Sequence, residues 1–116
     1  MAVTVINGPI IAAGEWLSSA VDCSAGRIMR ITTPAEWTGA NISFQISTDG
    51  NGFEDLYLSN GSEVVIPCGP SRAIAIDDMG WPQAVHLKIR SGTAQHPIQQ
   101  ESSREFSIAL NSLAPG

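Results

Sequence analysis

At 116 residues, 43% hydrophobic and 15% charged, the chain holds enough apolar material for one packed domain and is not a disordered polyelectrolyte. A net charge of −5, with Lys88 its lone lysine, excludes the clustered cations that non-specific nucleic-acid binding requires. The most apolar run, Ile10 to Leu17, is cut by Gly14 and Glu15 and is too short to read as a membrane-spanning helix.

In chain order, Val3 to Ile6 and Trp16 to Val21 are candidate strands. The opening "MAVTVINGP" has no basic n-region, so no signal peptide is expected and synthesis is expected in the cytosol. Cys23 and Cys68 are then expected to be free thiols. Arg27 to Thr32 is a further strand rich in isoleucine, and Pro34 to Ala40 a turn segment carrying Trp37.

Ile42 to Ser47 alternates strictly, with Ile42, Phe44 and Ile46 on one face. Glu54 to Leu58, Glu63 to Ile66 and Ala73 to Ile76 are shorter strand candidates, separated by turns at Asn60-Gly61 and Pro67 to Pro70. Met79 to Pro82 is a turn segment with Trp81. Val85 to Arg90 alternates again, placing Val85, Leu87 and Ile89 inward and His86, Lys88 and Arg90 outward. Phe106, Ile108 and Leu110 form a third inward row. Gln99 to Arg104 is the one plausible short turn of helix. Period-two rows with turns at short spacing predict an all-β chain, a single antiparallel β-sandwich spanning 1–116.

The run "FQISTDGNGFEDLY", followed later by "VHLKIRSG", resembles the core of galactose-binding-like, discoidin-like jelly rolls. With Ala35 to Ala40, Arg72 to Ala75 and Leu87 to Gly92, the chain from about Val21 to Leu110 is similar to a family of small virion proteins of tailed phages and prophages. The resemblance implies a jelly-roll β-sandwich that decorates or completes the particle and carries no catalytic signature.

Asp49-Gly50-Asn51-Gly52 offers oxygens to a calcium ion or a sugar, but a calcium shell takes about six to eight of them and only Glu54 and Asp55 stand nearby. The stretch is instead expected to be a chain reversal with glycines at positive φ. Trp16, Trp37 and Trp81 could stack on sugars, anchor an interface or plug the ends of the sandwich. Trp37 and Trp81, in turn-rich segments, are the interface candidates. His86, Lys88 and Arg90 form a basic stripe that either faces solvent or meets an acidic patch on a partner subunit.

Adjacent Asp77 and Asp78 point to opposite faces if they lie on a strand, and Ser71 lacks a strand-to-helix elbow. No catalytic, metal or cofactor residue is assigned. The expectation is a non-enzymatic virion subunit, made in the host cytoplasm, that cements the head through contacts with the major capsid protein or other virion subunits. It is expected to self-associate, as a trimer. The alternatives are a carbohydrate-binding module of a fibre and a connector or tail-completion protein.

Overall fold

The computed structural model describes residues 3–76 and 86–111, which hold nine strands and no helix. They are β1 (Val3–Ile11), β2 (Val21–Asp22), β3 (Arg27–Thr32), β4 (Ile42–Ser47), β5 (Glu54–Asp55), β6 (Val65–Ile66), β7 (Ala73–Ala75), β8 (His86–Ser91) and β9 (Arg104–Asn111). One sheet runs β1-β9-β3-β7; the other runs β2-β8-β4-β5, with β6 also paired to β4. All pairings are antiparallel, and the two sheets make a β-sandwich.

The alternating rows become the core. In the second sheet Phe44 lies directly opposite Ile89 and Ile46 opposite Leu87. Phe44, Leu87 and Ile89 are fully buried, and from the first sheet Ile28, Ile31, Phe106, Ile108 and Leu110 meet them in one apolar cluster. Each such side chain contributes about 1.5–3 kcal/mol through removal of its apolar surface from water.

Two bulges explain where simple alternation breaks. Between Ile28 and Arg30 the register with β9 shifts, so Met29 is the extra residue and stands exposed. Ile28 and Ile31, three apart, can therefore both point inward. In β1 the shift lies between Asn7 and Ile10, and it carries the strand past Gly8 and Pro9 to Ile11. The sequence ended this strand at Ile6, because Gly and Pro read as a stop when the bulge is not visible.

Other short segments come out shorter than expected. Trp16 to Val21 contributes only the β2 residue Val21 and an isolated bridge from Leu17 to Arg90. Gln99 to Arg104 forms no helical turn. Instead the Gln100 N–H donates to the Glu15 carbonyl at 2.9 Å, and the Gly14 N–H donates to the Gln100 carbonyl at 2.8 Å. This segment is tied to the chain between β1 and β2 and bends at Glu101 and Ser102.

Candidate functional site

Strand β8 separates its side chains by face, as alternation requires, but Arg90 does not face solvent. It is 3% exposed. Its Nε donates to Ser43 Oγ at 2.9 Å, its Nη1 to Asp55 Oδ1 at 2.6 Å and its Nη2 to Glu63 Oε2 at 2.7 Å. Ser43, its cross-strand neighbour, donates onward to the Gly92 carbonyl. Glu63 also accepts the Ala94 N–H at 2.9 Å.

The physical reason is the folding-back of residues 54–66. β5 and β6 add to the free side of β4 and bring carboxylates beside the sheet face that Arg90 occupies. A guanidinium stays charged at any ordinary pH, so its burial requires such partners. The bond from Arg90 holds the Asp55 carboxyl below its usual range, against the opposing effect of partial burial.

The basic stripe is therefore three different settings. Lys88 is half-buried with its ammonium 4.5 Å from the centre of the Phe53 ring, a cation–π contact. His86 is half-buried with its ring packed against Gly50. Arg90 is an internal tie rather than an interface residue.

Trp37 also departs from expectation. It is 3% exposed, donates from Nε1 to the Ala40 carbonyl at 2.8 Å and packs edge-on to Phe106 with ring centres 5.3 Å apart. It seals the core beneath the Pro34 to Ala40 turn instead of presenting a loop-tip ring. Trp81, Val85, Asp77 and Asp78 lie outside the described residues.

Around Asp49 the chain reverses on its own side chains. Asp49 Oδ1 accepts the N–H groups of Asn51 at 2.8 Å and Gly52 at 3.2 Å, and the Ser47 hydroxyl at 2.9 Å. Ser47 Oγ accepts the Gly50 N–H at 2.9 Å, and Gly50 has φ of 82°. These bonds, led by the one from Asn51, bring the Asp49 carboxyl down to about 2. One oxygen of the carboxylate that would have been first to hold a cation, Oδ1, is thus engaged by its own turn.

Beside this turn an open cleft of about 420 Å³ is lined by Ser47, Thr48, Gly52, Glu54, Asp55 and Tyr57 among others. Tyr57 stands 51% exposed at its wall, next to exposed Leu58. Such a surface offers a phenol ring, hydroxyls and carboxylates to a polar ligand.

A second buried polar group was not foreseen. Gln100 is fully buried; its Nε2 donates to Ser91 Oγ at 2.9 Å, and its Oε1 accepts Arg104 Nε at 3.0 Å and the Thr38 N–H at 3.3 Å. Arg104, 5% exposed, also approaches Glu36 at 3.8 Å. Nothing in the alternation marks Gln100 or pairs Arg90 with Asp55 and Glu63. The one available signal was Arg90 itself, a cation in a row followed by Ser91 and Gly92, residues too small to shield it.

Cys23 and Cys68 are free thiols. Burial, with Asp22 adding to it, pushes the Cys23 thiol up to about 11. Burial also raises Cys68, whose Sγ donates to the Ala40 carbonyl at 3.0 Å. Thiolate nucleophilicity is suppressed at both. Among the described residues no His, Cys, Asp and Glu group of three or more is arranged to hold a metal. Comparison of the chain with protein-family models, curated proteins and solved structures finds no match.

Proposed function

We propose that this protein is a structural subunit of a phage particle, working by protein–protein contact as a head decoration or cement protein. The observation that carries this reading is where the cations go. Of the six Lys and Arg residues, Arg90 and Arg104 are turned inward, Arg90 paired with the Asp55 and Glu63 carboxylates and Arg104 bonded to the Gln100 amide oxygen. Both cations are withdrawn from the outer surface, which carries scattered exposed Val, Ile, Tyr and Leu. Contact surfaces are depleted in charge at their centres, because charged groups lose most solvation on burial. The resemblance to small virion proteins supports a particle as the setting for such a surface, where repetition on a symmetric lattice would multiply modest contacts.

Quantitative mass spectrometry of purified particles tests this. Many copies per particle, in proportion to the major capsid protein, are expected. One or a few copies would indicate the connector or tail-completion role instead, and absence from particles would overturn the reading.

The open cleft beside Tyr57 favours a second reading, a carbohydrate-binding module of a fibre or surface protein. An exposed ring flanked by Glu54, Asp55 and Thr48 provides the stacking face and hydroxyl acceptors that a sugar needs. Titration with simple sugars would reveal it as a rise in melting temperature that Tyr57→Ala removes.

A further inference from the structure

We propose that the first half of β1, Val3 to Asn7, is a self-pairing edge that joins two copies of this chain through an antiparallel β1–β1 contact. β1 ends its sheet: it pairs with β9 on one side and with no described strand on the other. In such a strand every second residue turns its N–H and C=O away from the paired neighbour. An uncovered edge of this kind is a template for another strand, and folded proteins blunt it with charges, prolines, bulges or a covering segment.

The second half of β1 carries several of these devices. Pro9 removes a donor, the bulge between Asn7 and Ile10 breaks the ladder, and the chain at Ser19 covers Ile10. There the Ser19 N–H donates to the Ile10 carbonyl at 3.0 Å, and the Ile10 N–H donates to Ser19 Oγ at 3.4 Å. The first half, Val3-Thr4-Val5-Ile6-Asn7, contains no charge and no proline, its register with β9 is unbroken, and among the described residues no strand pairs its outer edge. Its outward row is uncharged instead: Val3 is 55% and Val5 54% exposed, opposite Asn111 and Ala109 of β9, and Asn7 is exposed beside them.

The occupant follows from symmetry and charge. In two antiparallel copies of β1 related by a two-fold axis the residue on the axis meets its own copy, so a charge there would face its like. β1 contains no charged residue. With the axis at Val5, Val5 meets Val5 and Val3 meets Asn7, and the exposed valines of both copies merge into one stripe across a continuous sheet. Five paired residues span about 17 Å, a contact at the small end of specific interfaces, so association is expected to depend on concentration. An isologous contact closes on two copies, giving a dimer rather than the trimer expected from the sequence. This pairing supplies one contact for the assembly reading and rests on that reading for its purpose.

Sedimentation equilibrium over a range of protein concentration, on the full chain and on Val5→Lys, tests the pairing. The native chain is expected to reach twice its monomer mass as concentration rises. Val5→Lys, which sets lysine against lysine, is expected to weaken association by at least about tenfold with an unchanged melting temperature. Hydrogen exchange on the native chain is expected to show slower exchange within Val3 to Asn7 at high concentration than at low. A native chain that stays monomeric, a Val5→Lys dimer of native strength, or exchange indifferent to concentration would each overturn the pairing. Protection of these amides only on particles, with a monomer in solution, would assign the edge to another subunit's strand; self-pairing would fail and the assembly reading would stand. A native dimer absent from purified particles would reverse that outcome.

Discussion

Glu63 lies 2.7 Å from the guanidinium of Arg90, a residue 27 positions further along the chain. The contact closes a loop that carries β6 across to β4, and it leaves neither charge fully solvated: Arg90 is 3% and Glu63 16% exposed. Removing one member of such a pair strands the other. Arg90→Met is expected to destabilise the fold by about 3 kcal/mol, read from urea denaturation. Adding Asp55→Asn and Glu63→Gln to Arg90→Met is expected to recover part of that loss, since no buried charge then lacks a partner. A triple variant less stable than Arg90→Met alone would show that the carboxylates support the fold independently of the arginine.

Trp37 was expected at a contact surface, where alanine would spare the fold. Buried against Phe106, it is now expected to behave as a core residue, with Trp37→Ala costing about 3–5 kcal/mol. Trp37→Phe keeps much of the apolar area but loses the bond to the Ala40 carbonyl, a smaller cost of about 1 kcal/mol. Thermal melts of the two variants check the order; equal stability of both would contradict the packing.

Acid should weaken the domain through its depressed carboxyls. Asp49 is lowered to about 2 from 3.8, and Asp22 and Asp55 are also lowered. Between those two pH values the unfolded chain binds more protons than the native one, so stability rises with pH there. The contribution is complete above about pH 4 and is lost as pH falls through about 2. Melting temperature measured from pH 5 downward is expected to fall across this window, and less steeply in Asp49→Asn.

Gly92 has φ of 91°, and a Cβ placed on it would collide with the His96 carbonyl oxygen and lie 3.0 Å from the Ile98 amide nitrogen. Gly92→Ala is expected to cost at least about 2 kcal/mol, combining a left-handed backbone with a steric clash. Gly39, with open space around its Cβ position, is the control: Gly39→Ala is expected to change stability by less than about 0.5 kcal/mol. Urea midpoints for both variants decide the comparison.

The periodic parts of this fold were legible because alternation is a local signal. β3 and β4 end where the isoleucine-rich runs end, and the inward rows at Ile42 and Phe44, at Leu87 and Ile89, and at Phe106 to Leu110 are the core. The bulges at Met29 and at Gly8-Pro9 were not legible, since an unpaired residue is defined by the opposing strand. Arg90 was placed on the correct face of β8 but in the wrong medium. Alternation says which side of a sheet a residue takes, whereas its solvation depends on what the distant residues 54–66 lay over that side. Trp37 was misplaced for a related reason. A turn at the mouth of a sandwich can fold its ring inward, and composition does not distinguish a rim from a plug.

The pairing of β1 with β9 sets an order on biosynthesis. Ile11 aligns with Arg104, so β1 leaves the ribosome well before the strand that will hold it. At ordinary elongation rates the interval is roughly 5–20 s, long compared with the microseconds in which a hairpin forms. Throughout it β1 has neither edge paired by β9, in an uncharged segment beginning Val-Thr-Val-Ile. On a polysome, where nascent copies are close neighbours, premature contact between such segments competes with completion of the sheet. Slowed translation between β3 and β9 should lower the yield of soluble protein, and Val5→Lys should restore it.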